Sequence, residues 1–438
     1  MTVIIDITTI CISFIIFLKS LKKIRMSSKY VIHIVFFIIY VLPLFLDYTI
    51  GIVDYRVYWN ASTHYIGFIE SYQDESTRII YDVFLIISQL IFLFILPSKP
   101  NPENKELVKT GQIFEINKYG SVIFVVLGFL APIICLFCGF YEILFRFGWR
   151  DSGLYEEVIK SNLYYTIEKI TYIGIVSGCC LLFSKHRRKL VLNIVGFFIV
   201  VMNVSIESKR SALFFAIAVS LIVLLCYNGK IKLKDYIFIS VIGMIGVLLY
   251  SIFVKTEYRG YSGFKEIYTN IRIDFFRDDR VKMVIYSFLR STERRAILEY
   301  PFQSYLTQIS SFFPIDFFVG KKIFELPIVG FNTYFTSSLM GSLTLLDENW
   351  MTTSMCDEMW ANFSFGSIII FPLLLKLFSN LIDSKSLLEK PVWLSLILLL
   401  FMYSINYISY YIEFTILIHV FIMLIKHRGK KENIDVKK

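Results

Sequence analysis

The stretch SIESKRSALFF, residues 205–215, places three ionisable side chains between two apolar runs. Glu207, Lys209 and Arg210 lie at a bend that leaves no room for a loop. Arginine carries a planar set of donors that matches two phosphate oxygens at once, and it stays charged when partly buried. The side chain of Arg210 could therefore hold a phosphate group from the end of a helix.

A second group of ionisable residues lies between about 255 and 361. The first third of this segment is rich in arginine and includes Arg259 and Arg290. Its last part, DENWMTTSMCDEMWANFSFG, contains the adjacent acids Asp357 and Glu358. A carboxylate can act as a general base towards an attacking hydroxyl group. Arginines beside a leaving pyrophosphate and a carboxylate base together suit glycosyl transfer from a lipid-linked pyrophosphate donor.

Other chemistries have less support in the sequence. The chain has no HExxH, GxSxG or Walker lysine motif. Adjacent acids such as Asp278 and Asp279 could hold Mg²⁺, but such pairs are common on solvated loops. We therefore predict no metal and no cofactor.

The composition places these residues on a membrane protein. Hydrophobic residues make up 56% of the 438, and the mean hydropathy is +0.63. Apolar runs of about 17–25 residues recur, and each would cross about 30 Å of hydrocarbon as a helix. Because backbone groups in lipid must bond to one another, we predict an all-α, polytopic integral membrane bundle. Eleven spans are predicted, at about 2–18, 30–50, 79–97, 119–141, 164–183, 190–206, 211–228, 236–254, 362–382, 391–408 and 409–425.

Basic residues predict the orientation of these spans. One set of connections holds 24 Lys and Arg, and the alternate short connections hold seven. The basic set is cytoplasmic by the positive-inside rule, so the N-terminus is outside and the C-terminus inside. The net charge of +10 is then mainly topological, and we predict no nucleic-acid partner. The predicted parts are helices 1–8 over 1–254, a large extracytoplasmic loop over 255–361, helices 9–11 over 362–425 and a basic tail over 426–438.

Ionisable residues within the spans are expected mainly in their outer halves. They are Asp6, Asp47, Asp82, Glu168, Lys169 and Glu413. The inner halves are expected to contain almost none. An ionised group in hydrocarbon is costly, so this set favours a polar cavity open to the outside.

The chain resembles bacterial oligosaccharide repeat-unit polymerases, the Wzy-type O-antigen and capsule polymerases. The resemblance covers roughly residues 190–380. It rests on the arginine of SKRS at the start of a middle span, on a large outer loop after the next pair of helices, and on DEMWANFSFGSIIIFP at the entry to the following span. It implies a multi-pass protein of the bacterial cytoplasmic membrane with its active site facing outwards.

The resemblance also implies a reaction and its residues. One undecaprenyl-pyrophosphate-linked glycan is the donor, a second is the acceptor, and undecaprenyl pyrophosphate leaves. Arg210 would contact the pyrophosphate, with Arg259 as its partner, and Glu358 occupies the acidic position of the family pattern. Lys209, Glu207 and Arg290 are further candidates for substrate binding, and Asp357 is the second candidate for the base. Membrane lipid and a chain-length regulator are further partners.

Structural alternatives stay open for each of these residues. Arg210 could neutralise Glu207 at a tight turn, Arg259 could anchor the chain at the interface, and Glu358 could cap or pair locally. A solvated helical face is an alternative for Arg290. Among functions, an O-antigen ligase, a flippase or transporter of the lipid-linked glycan, and a membrane acyltransferase compete with the polymerase.

Overall fold

The computed structural model describes residues 2–24, 27–53, 66–95, 113–147, 162–185, 189–228, 272–273, 275–290, 302–305, 331–341, 352–403 and 411–423, with single residues at 154, 158, 241, 245 and 268. Within these ranges the protein is helical and has no β-strand. The predicted all-α class is therefore confirmed for the described part of the chain.

The first half of the chain forms long helices. They are α1 (Thr2–Lys23), α2 (Ser28–Phe36), which continues through a π-helical turn (Phe37–Val41) into α3 (Leu42–Thr49), α4 (Ile66–Gln73), α5 (Glu75–Leu90) with a π-helical turn (Ile91–Ile95), α6 (Lys118–Phe137), α7 (Asn162–Phe183), α8 (Lys189–Glu207) and α9 (Arg210–Tyr227). The second half contributes α10 (Asp278–Leu289), α11 (Phe331–Met340), α12 (Met355–Phe363), α13 (Ser367–Asp383), α14 (Lys390–Met402) and α15 (Tyr411–Met423).

Six helices in the described ranges are long and apolar enough to cross a membrane. They are Thr2–Lys23, Ser28–Thr49, Glu75–Ile95, Lys118–Phe137, Leu190–Glu207 and Met355–Asp383. Described helices occupy ten of the eleven predicted spans, and 236–254 lies outside the described residues apart from 241 and 245. The count of eleven spans and the orientation stay predictions.

Two compact units share the chain. Unit 1 comprises Met1–Pro100, Tyr261–Asp383 and Ile397–Tyr407, and unit 2 comprises Asn101–Gly260, Ser384–Leu396 and Ile408–Lys438. The segment 255–361, predicted as one large loop, contains α10, α11 and the start of α12. These helices belong to unit 1, where α10 packs against α4, α5 and α12.

In unit 1, α1 has an apolar outer face and a polar inner face. Its exposed side chains include Ile4, Ile7 and Phe14, whereas Asp6 and Ser13 are buried. A helix in water would show the reverse arrangement. The polar face of α1 packs mainly on α5 and α2, so polar groups line the interior of the unit.

In unit 2, glycines bring α7 and α8 close together. Gly174 and Gly178 form a GxxxG pair on α7, the kind of small-residue spacing that lets membrane helices approach. A Cβ on Gly178 would lie 2.8 Å from the carbonyl oxygen of Gly196 on α8. A Cβ on Gly174 would meet the amide of Asn203 at 2.3 Å, and this amide donates a 2.9 Å hydrogen bond to the Gly128 carbonyl of α6. The contact therefore ties three helices together.

Candidate functional site

A buried charge network, which we call the Arg272 cluster, lies in unit 1. It consists of Arg272, Asp278, Lys282, Tyr72 and Asp47. The guanidinium of Arg272 donates to both carboxylate oxygens of Asp278, at 2.5 and 2.7 Å. The Tyr72 hydroxyl and the Lys282 ammonium donate to Asp278 Oδ2 at 2.7 and 3.0 Å. Arg272 Nη2 also lies 3.4 Å from Asp47 Oδ1. One carboxylate thus receives four donors.

Two neighbouring cations lower the pKa of Asp278. Burial acts to raise the pKa of this carboxyl group, but the charges of Arg272 and Lys282 outweigh it and hold the pKa well below its usual range. Asp278 and Lys282 are four residues apart on α10, so one helical face presents both. Asp278 therefore stays ionised and keeps its four donors in place.

Two further arginines connect this region to distant parts of unit 1. Arg277 donates from Nε to the Met402 carbonyl at 3.0 Å, and burial, together with the charge of Arg280, lowers its pKa to about 10. Arg280 pairs with Asp279 at 2.7 Å and donates to the Thr352 carbonyl at 2.7 Å. These arginines hold the fold together, although the sequence placed them in an arginine-rich outer segment.

Asp6 lies in a neighbouring cluster at one end of the spanning helices. It accepts hydrogen bonds from Tyr48 of α3 and Arg78 of α5. Asp82 lies one turn further along α5, is 1% exposed, and interacts electrostatically with Asp6. We call this the Asp6 end of unit 1, because α1 begins here, α3 ends here and α5 begins here.

Asp357 stabilises the start of α12. Its Oδ1 accepts from the backbone NH of Ser354 at 2.7 Å and from the Ser354 hydroxyl, which forms a capping box. The Tyr40 hydroxyl lies 3.1 Å from the same Ser354 Oγ. Asp357 therefore caps the start of α12. This structural function was not part of its predicted role as the second candidate for the base.

Glu358 lies within α12. The sequence placed it just before a span beginning near 362, but the helix starts at Met355, because the Ser354 cap begins it earlier. The side chain is fully buried. Tyr305 lies nearby, since burial together with the charges of Glu358 and Asp357 holds the pKa of Tyr305 well above its usual range.

Tyr305 belongs to a group of aromatic rings that pack on one another at the end of α12. Phe302 and Tyr305 pack on Phe363, with ring centroids 4.7 and 6.1 Å apart. Asn362 donates to the Glu358 carbonyl at 2.7 Å and to Ser304 Oγ at 2.8 Å, which ties the 302–305 segment to α12. Residue Ser364 then has φ +49°, and the helix breaks before α13. The break after α12 is thus flanked by Phe302, Tyr305 and Phe363.

Glu207 and Lys209 form a second charge cluster, in unit 2. The Lys209 ammonium pairs with Glu168 of α7 and lies 3.1 Å from Glu207 Oε1, which also accepts from the Tyr172 hydroxyl at 3.1 Å. From the sequence, one alternative was that Arg210 neutralises the charge of Glu207. The structure shows Lys209 in contact with Glu207.

The bend between α8 and α9 is as tight as the sequence predicted. Two residues, Ser208 and Lys209, separate the helices, and Ser208 adopts φ +49°, a conformation that L-residues rarely adopt. α9 begins at Arg210. The side chain of Arg210 lies outside the described residues, as does all of Arg259.

Arg290 lies at the end of α10 on the surface of unit 1. Its Nε donates to Asp74 Oδ1 at 2.8 Å, its Nη2 donates to Ser76 Oγ at 2.9 Å, and its side chain is 51% exposed. Asp74 also caps α5 through the NH of Thr77. The side chain of Arg290 is therefore half exposed and has a specific acidic partner, and substrate binding by Arg290 stays a prediction.

The predicted residues therefore fall in two units. Glu358, Asp357 and Arg290 belong to unit 1, and Glu207, Lys209 and Arg210 belong to unit 2. Sequence reasoning missed the Arg272 cluster and the capping function of Asp357. Signals for both were present: Asp278 and Lys282 have i,i+4 spacing, and Ser354-x-x-Asp357 is a capping-box pattern.

The arrangement can provide a buried acid near Tyr305 and can hold fixed charges inside a helical bundle. Among the described residues, no group of three or more His, Cys, Asp or Glu side chains could hold a metal ion. The class that this fold defines is a helical protein with several helices able to cross a membrane. Comparisons with protein-family profiles, curated proteins and solved structures found no match.

Proposed function

We propose that the chain is a membrane glycosyltransferase that polymerises lipid-linked oligosaccharide repeat units. One undecaprenyl-pyrophosphate-linked glycan would be transferred from its reducing end to the terminal sugar of a second. The product would be O-antigen or capsular polysaccharide on the outer face of the bacterial cytoplasmic membrane.

One observation carries this proposal: the buried carboxylate of Glu358 lies near Tyr305, whose ring stacks on Phe363. Sites for small molecules combine apolar and aromatic walls with a few placed polar groups. A sugar needs an aromatic surface for its apolar face and an acceptor for its hydroxyl. The region around Glu358 supplies both kinds of group.

The orientation proposed for the chain puts this carboxylate on the outer side. With the N-terminus outside, the Asp6 end of unit 1 faces outwards. The basic bias of the connections also predicts that 207–210 is extracytoplasmic. The 24 basic residues in the set of connections predicted to be cytoplasmic support this orientation.

In the proposed reaction, a carboxylate acts as the base and arginines stabilise the leaving group. The acceptor hydroxyl attacks the anomeric carbon of the donor, and Glu358 takes the hydroxyl proton as the new bond forms. The bond to undecaprenyl pyrophosphate breaks, and the leaving pyrophosphate carries away the electron pair. Arg210 and Arg259 would stabilise the leaving group by charge and by paired donors.

The structure narrows the set of arginines available for this step. Arg272 and Arg280 are buried and paired with aspartates, and Arg277 is buried among backbone carbonyls. These three would be unsuitable phosphate contacts, because breaking their bonds would leave buried groups unsatisfied. The restriction supports Arg210 and Arg259 as the proposed contacts.

The experiment that tests the function is deletion of the gene followed by gel analysis of surface polysaccharide. A polymerase predicts loss of long chains with single repeat units retained. An O-antigen ligase or a flippase predicts loss of all attached units. Unchanged long chains would refute the proposal.

A further inference from the structure

Several buried polar atoms without a protein partner lie in the apolar helices of unit 1. Among the described residues, the atoms that lack a hydrogen-bond partner here include Thr9 Oγ1, His33 Nδ1, Ser88 Oγ, Lys376 Nζ and Ser379 Oγ. Buried polar groups are nearly always hydrogen-bonded, so such a group needs an explanation. The positions of these atoms provide one.

These atoms and their polar neighbours follow one another through unit 1, and we call them the polar line. The first part of the polar line lies on α1 at the Asp6 end. Asp6, Thr9 and Ser13 are buried and follow one another at spacings of three and four residues on one face of α1. At 1.5 Å per residue they extend about 10 Å from the Asp6 end towards the middle of the helix. Asp82 lies beside the first of them, with Arg78 and Lys282 as the neighbouring cations.

The middle of the line joins three helices. Gln89 of α5 donates to Ser13 Oγ of α1 at 2.7 Å and to the Leu85 carbonyl at 3.0 Å. A carbonyl can only accept, so the amide nitrogen is the atom that faces Leu85. Gln89 Oε1 then accepts from Nε2 of His33 on α2, at 3.0 Å.

This geometry determines the state of His33. Because Nε2 carries a hydrogen that it donates to Gln89, neutral His33 has its lone pair on Nδ1. That Nδ1 is buried, and no described protein group donates to it. Gln89 is uncharged, so the ring has a free proton-accepting atom in the interior of the bundle.

The other end of the line lies where α2 begins and α13 ends, and we call it the Asp383 end. The Lys29 ammonium donates to the Leu93 carbonyl at 3.0 Å, within the π-helical turn after α5. Asp383 accepts from the NH and the hydroxyl of Ser28, at 2.9 and 2.7 Å. Lys376 interacts electrostatically with both Lys29 and Asp383, and its side chain is buried.

We propose that these groups form a proton pathway across unit 1, from the Asp6–Asp82 carboxyl pair through His33 to Lys376 and the Asp383 end. A proton from the carboxyl pair binds His33 at Nδ1 and forms the imidazolium. It then leaves from the same atom to the Lys376 amine, which returns His33 to its neutral form. Each step moves one proton between two bases, and no bond to carbon changes. Internal water, which usually satisfies unpaired buried polar groups, would connect the steps.

The available ligands favour a proton over a metal cation. A metal ion needs several ligands at one place, and within the described residues no group of three or more His, Cys, Asp or Glu side chains could hold one. A proton needs only successive groups that can accept and release it, such as a carboxylate, an imidazole and an amine. The proposed activity is separate from glycosyl transfer and does not depend on it.

The test uses the purified full-length chain in lipid vesicles that contain a pH-sensitive dye. A potassium gradient with valinomycin sets the membrane potential, and the rate of pH change is measured. We expect faster proton entry than in vesicles without protein. His33→Gln and Lys376→Met should each reduce the protein-dependent rate at least about tenfold, since a positioned proton-transfer group contributes about 100-fold or more.

Two controls separate this result from loss of folding. His419→Gln changes a half-buried histidine of unit 2 that contacts Glu389 and Lys385, and it should leave the rate unchanged. Lys376→Met replaces a buried amine by an apolar group of similar length, and it should not lower the melting temperature. A wild-type rate equal to that of empty vesicles overturns the proposal. So does a normal rate in both His33→Gln and Lys376→Met.

Discussion

Replacing Asp278 with Asn tests whether the Arg272 cluster holds unit 1 together. The substitution keeps the size of the side chain but removes its charge and one acceptor oxygen. Arg272 and Asp278 are each 0% exposed, and Lys282 is 2% exposed as a side chain. Two cations would therefore remain buried, with Asp47 as the nearby carboxylate.

The structure indicates how large the effect should be. Asp278 accepts from Arg272, Tyr72 and Lys282, and an Asn amide would place a donor against these donors. Breaking a buried ion pair by removing one partner costs about 3–5 kcal/mol. At about 2–4 °C per kcal/mol, the melting temperature should fall by at least about 6 °C.

The assay is thermal unfolding of the purified protein in detergent, with Asp74→Asn as the matched control. Asp74 pairs with Arg290, whose side chain is 51% exposed, and exposed pairs contribute about 1 kcal/mol or less. Asn also caps helices as well as Asp, so the α5 cap should survive. Equal shifts in the two variants, or no shift in Asp278→Asn, would refute the structural role of the cluster.

The pH dependence gives a second readout of the same variant. The pKa of Asp278 is depressed in the folded protein, so its stabilisation is present above the unfolded value of about 4 and is lost as the pH falls below it. Wild-type melting temperature should therefore fall more than that of Asp278→Asn between about pH 5 and pH 3. A larger fall in the variant would contradict the sign.

Three further predictions concern the proposed site and the orientation. Arg210→Ala should abolish chain extension at near-normal protein levels. Arg210→Lys should restore little activity, because lysine lacks the paired donors of arginine. Full activity in either variant would contradict the proposed contact with pyrophosphate. Asp357→Ala should lower stability by about 1 kcal/mol, because it removes the oxygen that accepts both bonds from Ser354; an unchanged melting temperature would count against that function. A reporter fused after Arg295 should report the outside and one after Lys232 the cytoplasm; the same side for both would contradict the predicted topology.

The apolar runs predicted much of the fold. Hydrophobic length alone identified α1, α6 and α8, because lipid leaves the backbone few alternatives to a helix. The tight bend at Ser208 was also predictable, since two apolar runs flank a connection too short for a loop. Asp6 and Asp82 are buried in the structure. The polar cavity open to the outside, expected from the cost of charge in hydrocarbon, stays a prediction.

Pairing between distant residues was not predictable in the same way. The partners of Arg272 come from α3, α4 and α10, and a single sequence does not show which side chains meet across the fold. The expectation that the inner halves of the spans contain almost no ionisable residues was incomplete, because Lys376 and His33 are buried there. Their polar neighbours come from other helices, so the polar line appears only when the helices are packed.

The start of α12 shows a signal that was present but not used. The apolar run suggested a span beginning near 362, because the acids at 357 and 358 lower its hydropathy. The cap at Ser354 starts the helix earlier and places Glu358 inside it. A helix end is determined by its capping bonds more than by the hydropathy of its first turn.

The most direct test of the proposed function measures chain length made by the purified protein from lipid-linked repeat units. Wild-type protein should extend chains and release undecaprenyl pyrophosphate, with EDTA present throughout. Glu358→Gln keeps the size of the side chain but removes the base, and it should slow extension at least about 100-fold. The matched control Glu142→Gln changes a glutamate whose side chain is 51% exposed, and it should extend chains normally. Normal extension by Glu358→Gln would contradict the carboxylate mechanism, and no extension by the wild-type protein would contradict the polymerase itself.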